Sequence, residues 1–310
     1  MSDGLILLIG ANGQVGAEAL PLLQSIGKVV WVTRAELDLT DLSAIRSVVR
    51  ELKPRWIVNA AAYTAVDKAE SDSQRAFAIN CDAPGVLGEE ARRIGATVIH
   101  FSTDYVFSGT GTRPWREDDS TGPLGVYGAS KLAGEQALAA SGAAHLIFRT
   151  SWVYGASGEN FLLRILKLAL EREELRIIDD QHGAPTWSRT LARLAAHSIL
   201  RGEEDAVAHG TTSAEAIQPI GGIYHACSAG TTTWFGFASE FLRIARTARP
   251  EQVFARLTAI PSSAYPTAAK RPENSRLNCE KLTRTFRFEM PTWEHSTAQV
   301  MGEVIEANHV

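Results

Sequence analysis

Short apolar runs alternate with stretches of helical spacing through the first half of the chain, and this alternation restricts the possible folds more than any other feature. The largely apolar runs, each predicted as a strand, lie at residues 5–9, 29–33, 56–59, 97–101 and 146–150. The stretches predicted as helices lie between them, at residues 14–25, 41–52, 72–94 and 126–141. Such runs are typical of strands buried on both faces, in a parallel sheet with helices on each side. The sequence therefore predicts an α/β fold with a Rossmann-like, doubly wound parallel sheet.

The pattern becomes less regular after residue 150. The elements predicted there are a helix at 159–173, a strand at 175–178 and a helix that begins near residue 188. Residues 203–221 are polar and predict an exposed loop. We expect a dinucleotide-binding Rossmann domain over residues 1–150. Residues 151–310 are expected to form mainly a smaller, C-terminal substrate-binding lobe, interleaved with the last elements of the sheet.

Charge and cysteine content exclude several classes of protein. The formal net charge is −4 at pH 7, which gives no basic surface for nucleic acid or for an anionic membrane. The cysteines, at positions 81, 227 and 279, are far apart in the sequence, which argues against a disulfide framework or a zinc site. The first apolar run is too short for a signal peptide or a membrane span. We therefore expect a cytoplasmic protein with neither a nucleic-acid nor a membrane partner.

A glycine-rich segment follows the first predicted strand and has the spacing Gly-x-x-Gly-x-x-Gly. Its residues are Gly10, Ala11, Asn12, Gly13, Gln14, Val15 and Gly16. Glycine permits a tight turn and a close approach of the backbone to a pyrophosphate, and the helix that follows offers free N–H groups. Structural turns also produce such triplets, but the position between the first strand and the first helix predicts a dinucleotide site.

The ends of the second and third strands indicate which dinucleotide is bound and how closely the chain approaches it. NAD-specific enzymes usually place an acid after the second strand, whereas this chain has Arg34 there. A guanidinium at this point can pair with a 2′-phosphate, although a solvated surface arginine is the alternative interpretation. We predict NADPH as the cofactor, with NADH as the alternative. The small residues of segment 59–62 allow the chain to pass close to it.

Tyr127 and Lys131 have the i, i+4 spacing that places two side chains on one face of a helix. In carbonyl reduction a phenol delivers a proton to the oxygen, although its unperturbed pKa is about 10. We expect the Lys131 ammonium, together with the charge of the oxidised nicotinamide, to lower the pKa of Tyr127, and we expect Lys131 to bond the nicotinamide ribose. Thr103, at the end of the fourth strand, is expected to hold the substrate oxygen. Because Tyr-x-x-x-Lys is common by chance, this prediction depends on its combination with the glycine segment.

Longer motifs extend over nearly the whole chain. They are NAAAYTAVDKAE at 59–70, HFSTDYVF at 100–107, VYGASKLAGE at 126–135, FRTSWVY at 148–154, DQHGAPT at 180–186, and RP with NSRL within 271–277. Through these motifs the sequence resembles the dTDP-4-dehydrorhamnose reductase family, a branch of the extended short-chain dehydrogenases/reductases. The resemblance implies an NADPH-dependent oxidoreductase. Its reaction would reduce the C4 keto group of dTDP-6-deoxy-L-lyxo-4-hexulose to dTDP-L-rhamnose, a nucleotide sugar used for lipopolysaccharide and other surface polysaccharides.

The resemblance also implies roles for individual residues. The residues implied at the cofactor phosphates are Gly13, Gln14 and Val15, with Asp38 and Leu39 near the adenine and Ala61, Ala62, Tyr63, Thr64 and Phe101 lining the cleft. The implied proton donor and its partner are Tyr127 and Lys131, and the implied sugar contacts are Thr103, Asp104 and Trp152. Without the resemblance, Trp152 would also fit a core position.

A departure from the family concerns Mg²⁺, which joins subunits in some of its members through glutamates from three places. Glu18 and Glu294 match two of these glutamates, but Arg189 stands at the third position. A cation at that position opposes a bound divalent metal. The sequence therefore argues against a metal-bridged dimer and predicts a monomer or a weak homodimer.

Other functions are compatible with parts of the sequence. A sugar-nucleotide 4,6-dehydratase needs Thr-Asp-Glu, whereas Tyr105 follows Thr103 and Asp104 here, so the base is missing. Another sugar-nucleotide epimerase or reductase fits the first half of the chain but not the motifs of the second. A non-catalytic, cofactor-binding subunit, like the regulatory subunit of methionine adenosyltransferase, is the alternative from another class. The presence of Tyr127 and Lys131 favours the enzyme.

Overall fold

The protein, a computed structural model in which residues 4–307 are described, is built on a central sheet of six strands. The strands of the chain are β1 (Ile6–Ile9), β2 (Val29–Val32), β3 (Trp56–Asn59), β4 (Thr97–Thr103), β5 (Ala144–Thr150), β6 (Val153–Tyr154), β7 (Glu174–Ile178), β8 (His182–Gly183), β9 (Thr186–Trp187), β10 (Gly222–His225), β11 (Thr232–Thr233) and β12 (Arg256–Ile260). The central sheet has the order β2-β1-β3-β4-β5-β10, and every neighbouring pair is parallel. The predicted Rossmann-like fold class is confirmed.

Helices cover both faces of this sheet. They are α1 (Gln14–Gln24), α2 (Leu42–Leu52), α3 (Val66–Ala69), α4 (Ser73–Phe77), α5 (Ala83–Ile94), α6 (Val126–Ala140), α7 (Phe161–Glu171), α8 (Ser188–His209), α9 (Ser213–Ile217), α10 (Trp234–Ala248), α11 (Glu280–Phe286) and α12 (Trp293–Glu306). Side chains alternate along a strand, so Leu8 of β1 packs in the core that contains α1 and α8, and Leu7 packs in the core that contains α2 and α5. Among residues 4–307, no helix is long and apolar enough to cross a membrane.

The prediction of an exposed loop at 203–221 is wrong. The helix α8 continues to His209 and ends at Gly210, which has the left-handed backbone conformation that suits a helix C-terminus. The short helix α9 follows, opened by a capping box between Thr212 and Glu215. One of the polar residues, Glu203, contacts the central sheet, since it accepts hydrogen bonds from Trp56 Nε1 of β3 at 2.7 Å and from Arg55 Nη1 at 2.7 Å.

Residues beyond 150 contribute to two different cores. The helices α8, α9 and α11 pack with the central sheet through Leu191, Ile217 and Leu282. A separate aromatic core joins α7, α10 and α12 around Phe237 and Phe241. The division into domains at residue 150 stays a prediction, in which the second unit is interleaved with the sheet.

The helical stretch predicted at 72–94 is interrupted by a π-helical turn at Ala78–Asp82. The turn directs the buried side chain of Asn80 to the backbone of Tyr63, where it accepts from N–H at 2.8 Å and donates to the carbonyl at 3.1 Å. Asn80 also donates to Ser130 Oγ at 3.0 Å, which joins this turn to α6. Turns of this kind are frequent at functional sites, and this one holds the loop after β3 in place.

Gly134 of α6 makes this contact possible, and its replacement tests the packing. A Cβ atom at Gly134 would lie 1.9 Å from Asn80 O, whereas a Cβ atom at Gly302 of α12 would meet nothing within 4 Å. Because the backbone must move to relieve the clash, we expect Gly134→Ala to lower the free energy of unfolding by about 1–3 kcal/mol. The matched Gly302→Ala should raise it by about 0.5–1 kcal/mol, since alanine is the better helix former. Urea denaturation measures both, and equal effects of the two changes would contradict the packing argument.

Candidate active site

A cleft of about 650 Å³ opens at the carboxyl ends of β1 and β3. The strand order reverses here, because β2 and β3 lie on opposite sides of β1, and dinucleotides bind at such switch points. The predicted cofactor residues that line the cleft are Gly10, Asn12, Gly13, Gln14, Val15, Arg34, Asp38, Leu39, Ala61, Ala62, Tyr63, Thr64, Phe101, Tyr127 and Lys131. Gly16, also predicted, does not line it. A Cβ atom at Gly16 would lie 2.0 Å from Gly10 O, so this glycine lets α1 pack on the turn.

The glycine turn has the shape that a phosphate requires. Gly10 adopts φ of +82°, and a Cβ atom on it would lie 2.8 Å from Ala61 N. Only a residue without a side chain permits this close approach of two backbones. Gly13 precedes α1 and has no side chain to cap the helix. Gly13 and Gln14 line the cleft, so the positive end of α1 faces it. The turn therefore fits the pyrophosphate of a dinucleotide.

The residues after β2 set the charge at one end of the cleft. Arg34 has a side chain that is 67% exposed, and its Nε lies 3.8 Å from Asp38 Oδ2. The Asp38 carboxylate accepts from Thr40 N–H at 3.0 Å, and this bond lowers its pKa. Glu36, an acid near the strand end, turns back to accept from Thr33 N–H at 2.8 Å and is not part of the cleft wall. The ion pair of the Arg34 guanidinium with Asp38 is long and lies at an exposed position, so the guanidinium can also contact an anion in the cleft.

Tyr127 and Lys131 lie on the first turns of α6, beside the cleft. The helix starts after Gly125, and Glu70 accepts from Val126 N–H at 2.9 Å, which stabilises its N-terminus. The predicted lowering of the pKa of Tyr127 concerns the protein with its oxidised cofactor bound and stays a prediction, whereas the chain without ligands has the opposite shift. Burial of the hydroxyl raises that pKa to about 12, and the hydrogen bond with Thr103 only partly opposes it. The phenol is therefore protonated at neutral pH.

Lys131 is buried below this tyrosine, with 1% of its surface exposed. Its Nζ donates to Phe101 O at 2.6 Å and lies 3.0 Å from His100 Nε2. Burial lowers the pKa of Lys131 to about 8. A lysine with such a pKa gains or loses its proton near neutral pH, which makes it a candidate for proton transfer.

Thr103 and Asp104 continue from β4 but do not line the cofactor cleft. Thr103 Oγ1 donates to Asp104 Oδ1 at 3.1 Å, and its oxygen accepts from Tyr105 N–H at 3.2 Å. Burial raises the pKa of Asp104 to about 7, against opposing hydrogen bonds from Ser275 and Thr103. Its Oδ2 is buried without a partner among residues 4–307. These groups can donate to or accept from a ligand beside Tyr127.

Trp152 follows β5 and has an uncommon backbone conformation. Its φ is +49°, in the left-handed region that disfavours bulky side chains. The ring stacks on Trp234, with centroids 3.7 Å apart, and a Cβ atom at Gly183 would lie 2.7 Å from Trp152 Cε2. Thr150 of β5 pairs with Thr103 of β4, and Trp152 comes two residues after Thr150 in the chain.

One of the three positions considered for a metal, position 189, departs from the family pattern, and its side chain is held in ion pairs. Arg189 donates from Nε to Glu18 Oε2 at 2.6 Å and from Nη2 to Glu303 Oε2 at 3.0 Å. No group of three or more potential metal ligands occurs between residues 4 and 307. The argument against a divalent cation at this position stays a prediction.

The sequence reasoning missed polar atoms on the floor of the cleft. Ser102 Oγ and Thr150 Oγ1 are buried, line the cleft and have no hydrogen-bond partner within the described part of the chain. Their positions beside the predicted Thr103 were a signal, since both lie at the carboxyl ends of paired strands. His100, inside an apolar run, gave no such signal. A ligand can supply the partners that these hydroxyl groups lack.

Comparison with known proteins shows what this chain is similar to. The family model described as "RmlD substrate binding domain" matches residues 4–305. The dTDP-4-dehydrorhamnose reductase of Burkholderia thailandensis is 45% identical over 97% of this chain and 99% of its own, and that of Escherichia coli K12 is 44% identical over 96% and 97%. A crystal structure of dTDP-4-dehydrorhamnose reductase from Bacillus anthracis in complex with NADP is 30% identical, with a TM-score of 0.84 over 97% of this chain and 100% of that chain. The chain belongs to this family.

The raised pKa of Asp104 predicts a pH-dependent stability. Its pKa is 3.8 when unfolded and about 7 when folded, so ionisation favours unfolding, and this destabilisation grows as the pH rises from about 4 to 7. Asp104→Asn should therefore gain stability relative to the parent chain by up to about 1.4 kcal/mol per pH unit in that range.

Asp119 provides the control, because Arg113 lowers its pKa to about 2. The stability that Asp119 contributes is complete above pH 4 and is lost as the pH falls through 2. The difference between Asp119→Asn and the parent chain should therefore be constant from pH 5 to 8. Urea denaturation at each pH measures both variants, and a constant difference for Asp104→Asn would show that this carboxyl is not held protonated.

Proposed function

We propose that this member of the family catalyses the NADPH-dependent reduction of the C4 keto group of dTDP-6-deoxy-L-lyxo-4-hexulose to dTDP-L-rhamnose. Relatives that are similar to this chain over nearly its full length are named dTDP-4-dehydrorhamnose reductase, and the structure of one such reductase was determined in complex with NADP. The observation that carries the proposal is the protonated phenol of Tyr127, which adjoins both the dinucleotide cleft and Thr103. A reductase needs a proton donor at this place.

The cleft holds the dinucleotide in this proposal. Gly13 and Gln14, at the positive end of α1, bind the pyrophosphate, and Arg34 meets the 2′-phosphate of the adenosine ribose. Asp38 and Leu39 lie at the adenine, and Lys131 bonds the nicotinamide ribose. The bound dinucleotide supplies the hydride that reaches the carbonyl carbon.

The protein's own groups deliver the proton. Because the pKa of Tyr127 is about 12, the hydroxyl keeps its proton until the carbonyl oxygen gains electron density. Thr103 orients this oxygen, and Asp104 contacts the sugar beside it. As Tyr127 gives up its proton, an ammonium at Lys131 favours the phenolate.

The sugar and its nucleotide lie on the side of residues 151–310 in this proposal. Trp152 offers the sugar a ring that is held by stacking on Trp234. The conformational strain at Trp152 supports a functional position, since such strain is retained mainly where function requires it. Arg189 stands at the third metal position and pairs with Glu18 and Glu303, so we propose that no metal bridges subunits and that the protein is a monomer or a weak homodimer.

Tyr127→Phe tests the proton donor. We expect turnover of dTDP-6-deoxy-L-lyxo-4-hexulose with NADPH to fall by about 10²–10⁴-fold, because acid catalysis is lost while the ring is kept. The affinity for NADPH should stay nearly unchanged. Loss of NADPH absorbance and identification of the product measure the reaction.

Tyr224→Phe is the matched control, since this tyrosine is buried but donates to Ile220 O on the far edge of the sheet. It should keep the parent rate. A Tyr127→Phe variant with the parent rate would exclude Tyr127 as the donor. No turnover of any keto sugar by the parent chain, together with stoichiometric capture of a synthetase, would favour the non-catalytic subunit instead.

Arg34→Ala tests the choice of dinucleotide. The guanidinium should stabilise bound NADPH through its 2′-phosphate, so kcat/KM with NADPH should fall about tenfold while kcat/KM with NADH stays the same. Arg243→Ala removes another exposed arginine, paired with Glu240 on α10, and should change neither value. Steady-state kinetics with both dinucleotides decide the matter. Equal or better efficiency of the parent chain with NADH would remove the proposed preference.

A further inference from the structure

His100 lies on β4 beneath the dinucleotide cleft and takes no part in the proposed mechanism. Its side chain is buried, with 1% exposed. Its Nδ1 lies 3.1 Å from Asn59 Nδ2, and its Nε2 lies 3.0 Å from Lys131 Nζ. Each ring nitrogen of the imidazole therefore lies within hydrogen-bond distance of a side-chain nitrogen, of Asn59 in one case and of Lys131 in the other.

Asn59 fixes which ring nitrogen of His100 carries the proton. Asn59 Oδ1 accepts from Ala61 N–H at 3.2 Å, so the amide oxygen faces Ala61 and the NH₂ group faces the imidazole. An NH₂ group only donates, and Nδ1 must therefore accept. Burial holds the pKa of His100 well below its usual value, so the ring is neutral. Its one proton is on Nε2.

That proton points at Lys131 Nζ. An ammonium can only donate hydrogen bonds, so an ammonium facing Nε2–H would place two donors against each other without an acceptor. A neutral amine can accept from Nε2–H through its lone pair and still donate to Phe101 O at 2.6 Å. We propose that His100, with its proton fixed on Nε2 by Asn59, is a positioning residue that holds Lys131 as a neutral amine in the chain without ligands.

The other charged groups around Lys131 are compatible with this state. Burial lowers the pKa of Lys131 to about 8, with Glu135 on the same helix opposing the shift, and the facing Nε2–H of His100 must lower that pKa further for the amine to be neutral at neutral pH. The Glu135 carboxylate is itself paired with Arg149 of β5, at 2.6 Å between Oε2 and Nη2. Tyr127 has a pKa of about 12 and is neutral, and burial raises the pKa of Asp104 to about 7. The charge that most favours an ammonium is thus compensated by an arginine.

Protonation of Lys131 requires this series of hydrogen bonds to reverse. Nε2 of His100 would have to accept, its proton would move to Nδ1, and Asn59 would have to turn its amide. The turn would break the bond to Ala61 N–H, and Ala61 lines the cofactor cleft. The consequence for turnover rests on the proposed function, in which the ammonium favours the phenolate of Tyr127. Activity should then fall as the pH rises through the pKa of Lys131.

Nitrogen-15 NMR of the histidine rings tests the proposal directly in the full chain without ligands. The chain contains references for both tautomers, because a carbonyl only accepts: His197 Nε2 lies 2.7 Å from Phe286 O, and His145 Nδ1 lies 2.8 Å from Ala143 O. At neutral pH we expect His100 to give the Nε2–H pattern of His197. The Nδ1–H pattern of His145, or a doubly protonated ring, overturns the proposal.

The variant Asn59→Asp inverts the hydrogen bonds with nearly the same side-chain shape. Its carboxylate can accept from both Ala61 N–H and His100 Nδ1–H, which leaves Nε2 to accept from an ammonium. We expect the alkaline limb of the pH profile of kcat/KM to move up by about one unit. His197→Gln, remote from the cleft, should leave the limb in place. An unmoved limb in a folded Asn59→Asp variant that binds NADPH also overturns the proposal.

The two measurements separate this proposal from the proposed function. The NMR measurement needs neither turnover nor a stable variant, so it remains decisive if Asn59→Asp does not fold. An Nε2–H pattern in a chain that turns over no keto sugar would contradict the proposed function and support the state of Lys131. Turnover with an Nδ1–H pattern would contradict the state of Lys131 alone.

Discussion

A lysine buried at the carboxyl edge of a parallel sheet is the constraint around which this part of the molecule is arranged. Burying an isolated ammonium in such a place costs free energy. The neighbours of Lys131 must therefore either accept hydrogen bonds from its ammonium or leave it as a neutral amine. The carbonyl of Phe101 and the ring of His100 come from β4, and Asn59 comes from the end of β3. The strand order brings these ends together, which places a group that titrates near neutral pH directly below the cleft.

The helix that carries Tyr127 and Lys131 is held on several sides. A buried ion pair between Glu135 and Arg149 joins α6 to β5, and breaking such a pair leaves an uncompensated charge inside the protein. Gly134 allows contact with the π-helical turn. These contacts fix the direction and depth of the helix. They explain how two side chains one turn apart can line the same cleft with different burial.

The local features of the site could be predicted because each depends on residues close in sequence. The glycine turn and the pair Tyr127 and Lys131 are of this kind. The features that were missed depend on contacts between distant residues: burial raises the pKa of the Tyr127 hydroxyl against the opposing hydrogen bond with Thr103, and His100 gains its importance from Asn59. The polar stretch at 203–221 was mistaken for a loop because the partner of Glu203 is Trp56, far away in the sequence. Likewise, Cys227 and Cys279, 52 positions apart, have thiol sulfurs only 3.7 Å apart.

The ion pairs of Arg189 join two helices from opposite ends of the chain, since Glu18 belongs to α1 and Glu303 to α12. A guanidinium attached to the backbone cannot diffuse away, in contrast to a bound ion. These ion pairs therefore hold the two helices together without requiring free magnesium. High ionic strength is the condition that would weaken them, because the three side chains are partly open to solvent.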